Sequence, residues 1–164
     1  MKKFTLLFYS SLISVIAFGQ SLNGAWERYY TSDNGENLRA VVILVDGYQV
    51  LTNYNADTGE FINTNGGTWK LDGNIMTEQV EFHSSEPERV GEVVSFEIYA
   101  SDSTFGIKDV NWEFKRIDNG SPGKLEGAWL MSGRKRNGEI QTRDTNQPRK
   151  TMKILSGKRF QWIA

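Results

Sequence analysis

The sequence predicts an all-β fold: a small antiparallel up-and-down barrel, followed by an incomplete second copy of the same unit. Three observations lead there. Short runs of alternating apolar and polar residues recur between clusters of turn formers. No stretch has the length and period of an amphipathic helix that could cross over a parallel sheet. A pentapeptide at the start of the strand series returns late in the chain.

Taken in order, residues 25–30 open the series. Residues 39–45 and 48–54 flank Asp46-Gly47, a two-residue turn whose members both tolerate positive φ, and so form a hairpin. A second hairpin is expected where residues 68–71 and 75–82 flank Asp72-Gly73-Asn74. Along 93–100, Val94, Phe96, Ile98 and Ala100 alternate onto one face. Residues 105–107 and 110–117 close the set, with Val110, Trp112, Phe114 and Arg116 sharing the inward face. The total is about eight short strands, the spacing of a barrel or sandwich. One short helical turn is expected at Pro87 and Glu88, capped by Ser85 and ended by Gly91.

Four segments are expected along the chain. Residues 1–19 read as a signal peptide: Lys2 and Lys3 form a basic start, residues 4–18 are apolar, and Ala17-Phe18-Gly19 offers small residues for cleavage before Gln20. About fifteen apolar residues are too few to span a bilayer, which needs about twenty. The expected product is exported, periplasmic or secreted, and soluble. With no cysteine in the chain, a lipoprotein anchor has no attachment point. Residues 20–117 form the barrel, 118–124 a linker rich in turn formers, and 125–164 a partial second unit. Charge divides in the same place: residues 20–123 carry seven Lys/Arg and seventeen Asp/Glu, whereas 124–164 carry ten and three. Either the acidic and basic parts attract and dock, or the basic segment faces an anionic partner such as a membrane or envelope polymer. The repeat is explicit, because Leu22-Asn23-Gly24-Ala25-Trp26 returns as Leu125-Glu126-Gly127-Ala128-Trp129. The second copy is expected to be truncated: either the chain is a fragment of a longer tandem protein, or residues 125–164 lie against the first barrel and borrow its surface.

Gly24-Ala25-Trp26 on a first strand, with Arg116 at the end of the last, resembles the Gly-x-Trp signature of lipocalins and their calycin relatives. Gly66-Gly67-Thr68-Trp69, residues 76–83 and Trp112-Glu113-Phe114-Lys115-Arg116 are similar to a family of uncharacterised bacterial secreted lipocalin-like domains. The resemblance implies that Trp26 sits at the barrel base with Arg116 packed across it. It makes Gly24, Trp26, Arg116, Gly127 and Trp129 structural signature positions. The chain is shorter than the best-known lipocalins and lacks their long helix near the C-terminus.

Composition removes several chemistries. Without cysteine there are no disulfides, thiol nucleophiles or thiolate metal sites, and the lone histidine, His83, cannot supply a two-histidine zinc site. No motif provides an activated serine for it. Asp33-Asn34-Gly35-Glu36-Asn37 has the oxygen content of a calcium loop without its spacing, and reads as a turn. Gly66-Gly67 precedes no helix, so a phosphate cradle has no support. No catalytic residue, metal or cofactor is expected.

Glu78 shares a strand face with Met76, Val80 and Phe82, which points it into the barrel, paired with Arg116 or backbone donors or set in water at the mouth. Glu81 and His83 fall on the opposite face and read as solvated. Two functions follow. One is a binding module for a small apolar or amphipathic ligand, walled by Trp69, Val94, Phe96, Trp112 and Phe114, with Glu78 and Arg116 as polar contacts. The other is a structural or protein-interaction barrel of the cell envelope with a filled core. An interior cavity of a few hundred cubic ångströms favours the first. Neither nucleic acid nor a membrane span is expected as a partner.

Overall fold

The computed structural model describes residues 22–121, 123–147 and 151–164. The signal segment with its Gly19-Gln20 junction, and Pro122 of the linker, lie outside the described residues. Eight strands close into an antiparallel barrel: β1 (Gly24–Thr31), β2 (Asn37–Val45), β3 (Tyr48–Asn55), β4 (Phe61–Asp72), β5 (Ile75–His83), β6 (Val93–Ala100), β7 (Thr104–Ile107) and β8 (Trp112–Asp118). Each pairs with its neighbour in sequence and β8 returns to β1, so the barrel has no free edge. At the β2–β3 hairpin, Asp46 and Gly47 both have positive φ (51° and 72°), the geometry that keeps the strand twist continuous across a two-residue turn. Residues 32–36 form the β1–β2 turn, closed by the Ser32 N–H donating to the Glu36 carbonyl at 2.9 Å.

Two strands depart from the sequence expectation for identifiable reasons. β4 starts at Phe61, well before residue 68, because its polar opening pairs through side chains as well as backbone. Asn53 Nδ2 donates to Asn63 Oδ1 at 2.8 Å, and the Thr52 and Thr64 hydroxyls meet at 3.0 Å. On β5 a bulge interrupts the alternation: Gly66 faces Phe82 while Gly67 faces Val80. Gly67 permits this, since a Cβ there would collide with the Gln79 carbonyl. The slip exchanges the last two side chains of β5. Phe82 packs on the outer surface and His83 turns inward, the reverse of the simple alternation. The short turn is a 3-10 helix, Pro87–Arg89, and Ser85 does not cap it. The Glu86 N–H donates instead to His83 Nδ1, at 3.0 Å.

Inward residues of the lower barrel form a closed core. Leu22, Trp26, Val42, Leu44, Met76, Ile98, Phe105 and Phe114 are all buried there. Trp26 meets Phe105 edge to face with centroids 5.0 Å apart, and Phe105 stacks on Phe114 at 4.9 Å. Below them, Arg116 lies over the Trp26 ring at 3.8 Å and donates to the carbonyls of Asp102 (2.6 Å) and Asn23 (2.9 Å). Gly24, with φ +131°, is required because a Cβ would meet the Asp118 carbonyl. Arg116 thus stacks, bonds two loop carbonyls and closes the floor. Arg116→Ala is expected to cost about 2 kcal/mol, since the cation–π contact on the buried Trp26 ring and two hydrogen bonds to loop carbonyls are lost together. Lys115→Ala, at an exposed position, should shift the melting temperature by little. Equal shifts in thermal denaturation would contradict this account of the floor.

The remaining strands are β9 (Gly127–Leu130), β10 (Gly133–Arg136), β11 (Glu139–Thr142), β12 (Met152–Leu155) and β13 (Phe160–Ile163). They form a three-stranded sheet, β13-β12-β9, and a separate β10-β11 hairpin. Met152, Ile154 and Ile163 pack against Ala25, Ile43, Val45 and Val50 on the outside of the barrel, making a second core. That second core explains why β2 is buried without alternation from Val42 to Val45: its inner face fills the barrel and its outer face meets the sheet. Asp118 ties the seam, accepting from the Ser156 hydroxyl at 3.2 Å and from the Lys158 N–H. Burial pulls the Asp118 carboxyl up, but these bonds, one from the Gly120 N–H and the Lys158 charge bring it below its ordinary range. Asp46 Oδ2 accepts from the Ala128 N–H at 3.2 Å.

Candidate functional site

The upper half of the barrel is not filled. Above Phe105 and Phe114 lies a cavity of about 420 Å³, reaching a rim at which Val110 and Trp112 are about half exposed. Its size falls within the range of small-molecule sites. The walls are largely apolar: Val42, Leu51, Met76, Val94, Phe96 and Ile107 all contribute. Polar side chains enter from several elements: Arg28 and Tyr30 on β1, Gln49 and Asn53 on β3, Asn65 on β4, Glu78 and His83 on β5, and Arg89 at the end of the 3-10 helix.

Each polar group has a distinct setting. Tyr30 donates its hydroxyl to Asn53 Oδ1 at 3.2 Å, and burial pushes its pKa up. Glu78 is partly buried in the wall, with Gln49 Nε2 donating to its Oε2 at 3.3 Å. Burial raises this carboxyl from 4.5 to about 7. Arg28 has its guanidinium 4.4 Å from the Tyr30 ring centroid, 4.7 Å from Trp112 and 5.9 Å from Phe114. At the mouth, Arg89 is held by Glu92 at 2.9 Å and Glu86 at 3.8 Å. The His83 side chain is only 7% exposed, with Nε2 4.0 Å from Glu86. The expectation that His83 is a surface residue is corrected by the β5 bulge.

Of the residues expected to bind a ligand, Glu78, Phe96, Trp112 and Phe114 line this cavity together. Trp69 and Arg116 do not. Trp69 is part of the wall, packed on the inner core with its Nε1 donating to the Tyr48 carbonyl at 3.0 Å. Arg116 belongs to the floor, so the expected pairing with Glu78 is replaced by Gln49. Arg28 was missed, although it follows Trp26 by two residues and alternation places both on one face.

The second signature repeats the first in local geometry. Trp26 Nε1 donates to the Leu22 carbonyl at 2.9 Å, and Trp129 Nε1 to the Leu125 carbonyl at 3.0 Å. Gly24 and Gly127 share an unusual φ, +131° and +137°. Their surroundings differ, because Trp26 is buried and Trp129 is 52% exposed.

The architecture defines an eight-stranded antiparallel up-and-down β-barrel with a packed floor and an unfilled upper interior. No protein-family model, curated protein or solved structure matches the chain.

Proposed function

We propose that this is an exported lipocalin-like binding module that takes a small apolar or amphipathic molecule into its barrel and performs no chemistry on it. The observation that carries the reading is the 420 Å³ cavity, with apolar walls and polar side chains converging from several elements. A barrel of purely structural purpose has side chains filling its interior from end to end. Residues 125–164 read as a second copy of the opening strands.

Trp112 reports on occupancy, since it lies at the rim and lines the cavity. Titration with fatty acids, haem-like pigments and aromatic amphiphiles should change indole emission, and Trp112→Phe should remove most of the change. Emission that stays constant across the whole panel would reject the binding reading. An interaction role for the outer surface is the second reading. It is favoured by Trp129 and Trp162, 52% and 59% exposed, which flank Lys153 across neighbouring strands of the outer sheet.

A further inference from the structure

We propose that the molecule held in the barrel carries a carboxylate, and that Arg28 is its anchor. This rests on the cavity being the binding site, and specifies what occupies it. Arg28 reaches the cavity from β1 and meets three aromatic rings, Tyr30, Trp112 and Phe114. Rings stabilise a guanidinium through their faces but do not replace the oxygen acceptors that its five N–H groups require. Among the described residues no carboxylate or carbonyl accepts from Arg28.

The other charged groups of the lining are already engaged. Arg89 is matched by Glu86 and Glu92, and the His83 Nδ1 accepts from the Glu86 N–H. Glu78 bonds Gln49 rather than Arg28. Arg28 is therefore the one cation lining the cavity, among the described residues, whose charge has no acidic partner within bonding reach. Arg28 is half-buried, so water can reach its N–H groups, and the carboxylate of an entering ligand would replace that water with a charge-assisted pair.

The class of anion follows from the donor. A guanidinium presents a planar fork that fits the two oxygens of a carboxylate, and one unmatched positive charge balances a monoanion. A phosphate dianion would call for more positive charge than the cavity holds free. The tail of the ligand would lie on Val42, Leu51, Met76, Val94 and Phe96. The ligand is thus an amphipathic monocarboxylate with an aliphatic or aromatic body.

Two matched pairs of probes test this: decanoate with decanol, and 2-naphthylacetate with 2-naphthylethanol. They would be titrated by calorimetry and tryptophan fluorescence into the native chain, Arg28→Gln, Arg28→Lys and Arg134→Gln. In the native chain at least one acid should bind about ten-fold more tightly than its alcohol, the scale of a charge-assisted hydrogen-bonded pair. Arg28→Gln should abolish that preference while leaving alcohol affinity within about two-fold, and Arg28→Lys should fall between, as expected for charge without the fork. Arg134→Gln, on an exposed strand, makes the same change in net charge and should behave as native. Acid and alcohol binding equally well to the native chain would overturn the Arg28 assignment and leave the binding module standing. If no probe bound, both would fall. Should Arg28→Gln not fold, the native acid-to-alcohol ratio and Arg28→Lys still decide the question.

Discussion

Ile154→Asp is expected to free the outer sheet from the barrel, at a cost of about 4 kcal/mol to the packing of the sheet on the barrel wall. Ile154 is fully buried between the sheet and the barrel wall, where it packs with Met152, Ile163, Ile43 and Val50. Ile154 itself sits among aliphatic side chains, which offer a carboxylate no hydrogen bond. The charge would therefore leave for water, taking β12 with it, and the outer faces of β2 and β3 would be exposed together. Amide hydrogen exchange resolves the two regions. In the native chain, amides of β12 should exchange as slowly as those of β2 and β3. In the variant, residues 151–164 should exchange fast while β4 to β8 keep most of their protection. Fast exchange from β12 in the native chain would show that the packed sheet is not a lasting part of the fold. Ile140→Asp provides the control, since that side chain is 75% exposed and the same change should cost little.

The barrel was legible because its signals are local. Alternation along residues 93–100 and at Phe114 and Arg116, with turn pairs such as Asp46-Gly47, needs no knowledge of distant partners. The floor followed from resemblance, as Arg116 over Trp26. What escaped were consequences of register. The β5 bulge, marked in sequence only by Gly66-Gly67, reversed Phe82 and His83, because a slip of one residue moves a side chain through the sheet. The polar half of β4 was unreadable from hydrophobicity, since its stability comes from Asn and Thr side chains bonding across to β3. The unbroken apolar run from Val41 to Val45 did carry a signal, because a strand buried on both faces loses its alternation. It pointed to the outer sheet. Within the cavity, Glu78 was placed by alternation alone, but its partner depended on strand order, which brings Gln49 across β4.

Glu78→Gln should stabilise the protein at alkaline pH and leave it unchanged in acid. Burial raises the Glu78 carboxyl from 4.5 to about 7, so the folded chain holds a proton that the unfolded chain releases at lower pH. Below pH 4.5 both states are protonated, and the residue contributes no penalty. Between pH 4.5 and 7 the unfolded state ionises while the folded state does not, so stability falls with rising pH. Above pH 7 the penalty is complete, at about 3 kcal/mol from the two endpoints. Glutamine has the shape of the protonated acid and does not ionise, and its amide can still meet Gln49. The melting temperatures of native and variant should therefore coincide near pH 4 and diverge by about 10 °C by pH 8, with the variant higher. A gap that does not change with pH would show that the carboxyl is hydrated in the folded state and titrates normally. A confirmed gap would mean that this chain retains a destabilising acid beside its cavity where an amide would fold better. Such a trade between stability and activity is expected of a residue kept for contact with a ligand rather than for the fold.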